Sequence, residues 1–303
     1  MTNLPKRTLS EILFYYKKVA NRDGGDIFVE GAGDKLLLDT YIESRQVASC
    51  PVYTMDMIDF SGVDFGSLGL PAPSARSGVI ALRKILKDEN VDVSKHIFLV
   101  DRDVEDLYET PLMDGIELTD SGALPVHLYD NITERKFSDL VFEGKIDLDV
   151  LKNSVNAICT DVYLLRVAAK SLKLGIRILP PGDLITGSRV VGYRLDFREY
   201  VERCLNASQC IDRVEQVLAH AESSRHIILE KNLRKFTLIN DHTLWDVLKI
   251  IGSRLNKSNN RSSKDIEELV RMTFDPIQLS GHRLFQAIEN RVISSGVQAA
   301  QPL

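Results

Sequence analysis

The chain has 303 residues, of which 44% are hydrophobic and 27% are charged. This is the composition of an ordinary soluble globular protein long enough for two domains. No apolar run approaches the roughly 20 residues that a membrane-spanning helix needs, so a membrane protein is not expected. The net charge of −5 argues against a protein that coats nucleic acid non-specifically, although acidic residues that bind metal ions are compatible with a nuclease.

The first pattern in the chain is an amphipathic one, with Leu9, Ile12, Leu13 and Phe14 among polar residues. It predicts an opening helix and not a signal peptide. The cysteines are scattered, with no CxxC pair and no histidines at metal-binding spacing; they are Cys50, Cys159, Cys204 and Cys210. We therefore expect free thiols and a cytoplasmic protein.

Up to about residue 130, strand-like and helix-like patterns alternate. Strands are predicted at Ile27–Val29, at Val52–Met55, in the run that ends at Asp101, and at Leu124–Tyr129. Helices are predicted at 34–42 and around Val79–Leu86, the second after a loop rich in Gly, Pro and Ser. Strands that alternate with helices indicate βαβ units and a mostly parallel sheet.

Beyond about residue 145 the periodicity becomes helical, with apolar stripes that begin at Leu148, Leu244 and Leu284. The stretch Ser253–Lys264 is polar and basic; it is predicted to be a solvated loop, with phosphate contact as the alternative. The predicted fold is therefore α/β, with a mostly parallel α/β domain at 1–145 and a mainly helical domain at 146–303.

Two predicted strands end abruptly in carboxylates. Glu30 follows Ile27–Val29 and precedes Gly31-Ala32-Gly33-Asp34, while Asp101 and Asp103 follow the later strand. Acids at the carboxyl ends of neighbouring parallel strands lie where open α/β sheets bind their ligands. Because like charges in a small volume need neutralising, and hard cations prefer oxygen ligands, these four residues predict a site for Mg²⁺ or Mn²⁺.

Each acid also has a structural interpretation. Asp34 is suited to capping the helix that it opens, at roughly 1 kcal/mol, and Asp101 with Asp103 is suited to a strand-end turn. Glu30 has no obvious capping role, since it ends an apolar strand directly before two glycines that let the backbone turn tightly. Glu30 is therefore the strongest indication of a functional site.

The motifs Val29-Glu30-Gly31-x-x-Asp34-Lys35 and Leu99-Val100-Asp101-Arg102-Asp103 together resemble the Toprim domain of OLD-like nucleases, over about 130 residues. The layout is most similar to the stand-alone Toprim effectors of the PARIS anti-phage systems. The resemblance implies that Glu30 is a metal ligand or general acid/base and that Asp101 and Asp103 bind metal, with Asp34 as a further acid. It implies a third acidic motif, for which Asp130 and Glu134 are weak candidates, and a catalytic lysine that no residue here matches clearly.

The resemblance further implies a metal-dependent endonuclease with two Mg²⁺ or Mn²⁺ ions, acting on RNA in preference to DNA, with transfer RNA favoured. Two cations held by shared aspartates can activate a water and stabilise the attacking and leaving oxygens. Such effectors are controlled by an ABC-type ATPase encoded beside them and act as homodimers in the cytoplasm, away from membranes. The resemblance thus implies that the domain at 1–145 is catalytic and that the helical domain at 146–303 serves for dimerisation or for docking a partner or substrate.

Two other interpretations remain open. The segment Phe98–Val104 also fits the hhhhDxDx[TV] motif of HAD phosphatases, in which Asp101 is the nucleophile and Asp103 the acid/base. In that case Glu30 has no role. The third interpretation is a non-catalytic Toprim module that only docks an ATPase, which would not bind Mg²⁺.

Overall fold

The computed structural model describes residues 6–18, 25–46, 50–104, 107, 114–130, 134–233, 235–256 and 261–293. The chain forms two compact units. The first comprises the described parts of Met1–Asp101, Pro111–Asp120 and Asp275–Leu303, and the second those of Arg102–Thr110 and Ser121–Phe274.

The strands within these ranges are β1 Arg7–Thr8, β2 Ile27–Val29, β3 Val52–Thr54, β4 Ile58–Asp59, β5 Ile97–Val100, β6 Ile116–Leu118, β7 Ile185–Ser188 and β8 Gly192–Leu195. The helices are α1 Leu9–Lys18, α2 Ala32–Ser44, α3 Ala75–Asp88, α4 His127–Asp130, α5 Glu134–Phe142, α6 Leu148–Ser171, α7 Phe197–Ala207, α8 Val214–Glu230, α9 Asp241–Leu255, α10 Ser263–Thr273 and α11 Arg283–Ile288. Short 3₁₀ and π turns complete the elements, at Met55–Met57, Leu124–Val126, Gly182–Leu184, Ile211–Arg213, Lys235–Leu238, Pro276–Gly281 and Glu289–Ile293.

The first unit is built on a four-stranded parallel sheet in the order β3-β2-β5-β6. A short parallel pair, β1 with β4, lies in the same unit. The predicted α/β class with a parallel sheet is thus confirmed. The chain runs from β2 to β3 on one side and then crosses back to β5 and β6, so the strand order reverses between β2 and β5.

A row of aromatic rings holds the register of this sheet. Phe28 is paired with Tyr53 on one side and with Phe98 on the other, and its ring stacks on theirs at centroid distances of 5.6 and 5.0 Å. The residues that alternate with these rings, such as Ile27 and Leu99, are buried as well. Both faces of the sheet are therefore covered, which explains why the strands are almost wholly apolar in sequence.

Helix α3 covers one face of the sheet. The hydroxyl of Ser74 caps it by accepting a hydrogen bond from the Ser77 N–H at 3.1 Å. Its apolar stripe of Val79, Leu82 and Leu86 then packs in one core cluster with the aromatic residues of β2 and β5. Capping and periodicity together fix where this helix begins and which side it buries.

The starts of β2 and β5 approach so closely that residue 25 has to be glycine. A Cβ atom on Gly25 would lie 1.8 Å from the carbonyl oxygen of Lys95. Beside this contact the N–H of Ile97 donates to the Asp26 carbonyl at 2.9 Å. The glycine thus permits the pairing that aligns the opposite, carboxyl ends of the same two strands.

The last described segment of the chain returns to the first unit. The Phe285 ring packs edge-on against Tyr41 at 4.8 Å. The Tyr41 hydroxyl donates to Glu289 at 2.6 Å, and Arg45 pairs with the same carboxylate at 3.0 Å. The two units divide the chain differently from the predicted division at 145/146: helix α11 belongs with the sheet, and the described residues between 121 and 145 belong with the helical unit.

The second unit is mainly helical, and the predicted stripes of α6 and α9 are buried as expected. Tyr163, Leu164 and Val167 of α6 join Ala221 and Ile228 of α8 in its core. This unit also contains an antiparallel hairpin of β7 and β8, which the helical periodicity did not predict. The prediction of free cysteines is confirmed, three of the four being buried.

The predicted strand at Leu124–Tyr129 is wrong. Leu124–Val126 is a 3₁₀ turn with Pro125 in its first positions, and it continues into α4. Proline suits the first turn of a helix because it has no N–H to offer and its φ is already helical. The fourth strand of the sheet is instead β6, which follows the turn at Asp114-Gly115.

The basic stretch at 253–264, predicted to be a loop, lies partly in helices, since α9 extends to Leu255 and α10 begins at Ser263; residues 257–260 lie outside the described residues. Arg254 donates to the Asp183 carbonyl at 3.1 Å, and Arg261 to that of Leu140 at 2.8 Å. Both arginines thus bind backbone of their own unit.

Candidate functional site

An acidic residue follows every strand of the four-stranded sheet within two positions. The residues are Asp56 after β3, Glu30 after β2, Asp101 after β5 and Asp120 after β6. The strands are parallel, so all four acids lie at the carboxyl edge. This edge, next to the reversal of strand order, is where α/β sheets of this type bind ligands.

Glu30 and Asp101 occupy the two strands that flank the reversal. The Asp101 N–H donates to the Oε1 atom of Glu30 at 3.0 Å, and the Glu30 side chain is 21% exposed. This hydrogen bond from the backbone fixes the orientation of the Glu30 carboxylate. The predicted adjacency of the strands that end in Glu30 and Asp101 is therefore confirmed.

Arg76 lies beside this pair. It is in the first turn of α3, and its Nη1 atom donates to the Asp101 carbonyl at 2.6 Å. The same atom is 4.0 Å from the Oε1 atom of Glu30, and the Arg76 side chain is 25% exposed. The sequence reasoning missed this residue. Its only signal was a cation in the first turn of a helix, a position where the helix dipole favours acids.

Asp34, the third predicted acid in the first unit, binds a backbone amide. It is the third residue of α2, it is buried, and its Oδ2 atom accepts a hydrogen bond from the Gly31 N–H at 3.0 Å. This bond satisfies one of the amides that a helix start leaves without an intrahelical partner. Among the described residues, Glu30, Asp34 and Asp101 do not bring one oxygen each within 4.8 Å of one another.

Asp103 falls in the second unit, because the boundary between the units lies between Asp101 and Arg102. It is exposed and has a left-handed backbone with φ of 45°. Its N–H donates to the Gly122 carbonyl at 3.1 Å, and it lines a small cavity with Arg166 and Asn240 of the same unit. Asp103 is thus part of the second unit, whereas the other three predicted acids are part of the first.

The side chains of the weak candidates, Asp130 and Glu134, lie outside the described residues. Their backbone positions are the last residue of α4 and the first of α5. Asp120, which sequence reasoning missed, is the acid that ends the fourth strand. Its Oδ2 atom accepts from the Leu284 N–H at 2.7 Å, and its Oδ1 atom lies 3.4 Å from Nε of Arg283. It could have been found only by recognising the three-residue strand before it.

Two further polar side chains near this edge, Thr54 and Lys35, bind protein atoms. The Thr54 hydroxyl donates to the carboxylate of Asp56. Lys35 donates to Asp39 at 2.8 Å and to the Val52 carbonyl at 2.9 Å, which gives it a structural role beside β3. Arg76 is thus a cation that α3 brings to Glu30 and Asp101.

The donor set suits a hard divalent cation. Glu30 and Asp101 offer carboxylate oxygens from adjoining strand ends, and both side chains are partly exposed to solvent. Oxygen-only ligands with access for water are what Mg²⁺ and Mn²⁺ require. Asp34 is a weaker candidate ligand, because its Oδ2 atom already accepts a hydrogen bond at the start of α2.

Among the described residues, no helix is both long and apolar enough to cross a membrane. No protein-family model matches this sequence, and no curated protein matches it significantly.

Proposed function

We propose that this protein is a metal-dependent nuclease of the Toprim type, which hydrolyses phosphodiester bonds at the carboxyl edge of its parallel sheet. One observation carries the proposal: Glu30 and Asp101 end the two strands between which the strand order reverses, and a 3.0 Å hydrogen bond joins them. Metal-dependent hydrolysis of the Toprim type uses a glutamate after one strand and an aspartate after the neighbouring strand.

Glu30 and Asp101 would hold Mg²⁺ or Mn²⁺. When two cations are bound, they supply an activated water and stabilise the attacking and leaving oxygens. Glu30 orients the attacking water and accepts its proton at a carboxylate oxygen. The Asp101 N–H keeps the Glu30 side chain in place, and Asp34 fixes the turn between Glu30 and α2.

The substrate class and the biological setting rest on the resemblance. RNA is the proposed substrate, with transfer RNA favoured over DNA. The protein would act in the cytoplasm as the toxic effector of an anti-phage defence system, as a homodimer released by an ABC-type ATPase partner. Expression with and without such an ATPase, followed by size-exclusion chromatography, tests this part.

Cleavage of nucleic acid by the purified protein is the decisive experiment for the activity. Cellular RNA and DNA are incubated with the wild type and with Glu30→Gln, with Mg²⁺ or with EDTA. The matched control is Glu43→Gln, which removes the same charge from an exposed position on α2. We expect defined fragments with the wild type and the control only, and only with Mg²⁺.

Three results would contradict the proposal. Fragments that persist in Glu30→Gln would remove this residue from the chemistry. Release of inorganic phosphate from small phosphate esters, unaffected by Glu30→Gln, would identify a phosphatase that uses Asp101. A wild type that binds no Mg²⁺ would identify a non-catalytic module.

A further inference from the structure

The helical unit contains a small polar cavity at the start of α9. The side chains that line it include those of Asp103, Arg166 on α6, Asn240 and Thr243. Its volume is about 10 Å³, which is room for one oxygen atom, and it is partly open to solvent. A ligand that fits here places one terminal atom inside, while the rest of the ligand remains at the mouth.

Thr243 brings a hydroxyl group to this cavity. It is the third residue of α9 and is only 6% exposed. Within the described part of the chain, its hydroxyl forms no hydrogen bond. Buried hydroxyl groups are almost always hydrogen-bonded, because the water that they lose is otherwise not replaced. The hydroxyl of Thr243 is therefore suited to bind a ligand atom in the cavity.

Arg166 brings a positive charge to the same cavity. Its Nη2 atom donates to the Oδ1 atom of Asn240, a neutral acceptor, at the long distance of 3.3 Å. Its Nε atom is buried without a hydrogen-bond partner, and no described carboxylate oxygen lies within 4.0 Å of its nitrogen atoms. A partly buried cation without an acidic partner is costly, and an anion in the cavity would offset that cost.

The start of α9 adds to the positive potential. This helix has 15 residues, and the side chain of its N-cap residue, Asn240, does not cap it. Helix N-termini favour anions because their first N–H groups lack intrahelical acceptors. Two carboxylates act in the opposite direction: Asp103 lines the cavity, and Asp241 lies in the first turn of α9. Their charge is expected to keep the affinity for an anion weak.

We propose that this cavity binds one oxygen atom of an oxyanion, a phosphate or a carboxylate group. The hydroxyl of Thr243 donates a hydrogen bond to that oxygen, while Arg166 and the start of α9 supply the positive charge. The proposal does not depend on the nuclease function, because these residues belong to the second unit, whereas Glu30 and Asp101 belong to the first.

The experiment is a calorimetric titration of the whole protein with inorganic phosphate and, separately, with acetate, at constant ionic strength. EDTA is present throughout, so that no metal ion bound by Glu30 and Asp101 holds the anion. We expect saturable binding of at least one of the two anions. The anion that binds more tightly identifies which of the two groups the cavity prefers.

Variants of Thr243 test its role without changing any charge. Thr243→Val keeps the shape of the side chain and should weaken binding about 10-fold, as expected for one lost hydrogen bond to a charged group. Thr243→Ser keeps the hydroxyl and should bind within about threefold of the wild type. Thr186→Val, which removes an exposed hydroxyl from β7, is the matched control and should bind as the wild type does.

Charge variants should change the affinity in opposite directions. Arg166→Gln should weaken anion binding by about 10-fold or more, because it removes the cation. Asp103→Asn should strengthen binding a few-fold, because it removes a like charge from the cavity. A purely structural role for these residues would not produce an increase in either variant. If Arg166→Gln does not fold, the variants of Thr243 and Asp103 decide.

Three results would overturn the proposal. In the first, the wild type binds neither anion saturably, which would leave the cavity to water alone. In the second, Thr243→Val binds the anion as tightly as the wild type, so that the anion lies elsewhere. In the third, the Thr186→Val control loses as much affinity as Thr243→Val, so that the loss does not report on the cavity.

Discussion

Variants of Asp34 test whether its carboxylate stabilises the start of α2 or binds the metal ion. Its Oδ2 atom accepts the Gly31 N–H at 3.0 Å at a buried helix start. Losing such a cap costs about 1 kcal/mol, which for a unit of this size lowers Tm by roughly 2–4 °C. Asp34→Ala should show this loss, whereas Asp34→Asn should lose less because its amide oxygen can still accept the bond.

The assay is denaturant unfolding followed by circular dichroism, with Mn²⁺ calorimetry on the same variants. Asp265→Ala removes the equivalent bond from α10, where the Oδ2 atom of Asp265 accepts the Ser262 N–H at 2.7 Å, and controls for a general loss of stability. We expect Mn²⁺ affinity to change less than about threefold in both Asp34 variants, well under 1 kcal/mol. If Asp34→Asn abolished cation binding while remaining stable, Asp34 would be a ligand and the capping explanation would be insufficient.

The other predictions concern stability. Gly25→Ala should destabilise the first unit by several kcal/mol, because the new Cβ would lie 1.8 Å from the Lys95 carbonyl oxygen, whereas Gly175→Ala, at a site with open space, should be nearly neutral. Burial and the bond to Glu289 raise the pKa of Tyr41 above its usual 10.0, so the folded state keeps a proton that the unfolded state releases. Tyr41 should therefore add to the fall in the free energy of unfolding above pH 10, so this fall should be smaller in Tyr41→Phe; equal slopes in both proteins would refute this cause.

Much of the first unit was predictable because its signals are local. A run of apolar residues that ends in an acid indicates a buried parallel strand, and both Ile27–Val29 and Ile97–Val100 are such strands. The adjacency of Glu30 and Asp101 then followed from topology. The helices α2, α3, α6 and α9 followed from apolar spacing, which reports the buried face directly.

The rest depends on contacts that a single sequence does not display. Strand β6 has a glutamate between its two apolar residues, so it lacks the apolar run that marks β2 and β5. The apolar run after it begins with Leu124-Pro125, which favours a helical turn. The return of α11 to the sheet is a long-range packing event that involves Tyr41 and Phe285. Arg76 reaches the site only because α3 starts beside the end of β5.

The most direct test of the central claim is the position of a bound cation. Crystals grown with Mn²⁺ would reveal the ion by its anomalous scattering. We predict a peak within about 2.5 Å of one carboxylate oxygen from Glu30 and one from Asp101, the distance range of hard cations and their oxygen ligands. A saturated crystal whose peaks all lie away from these two side chains would contradict the account.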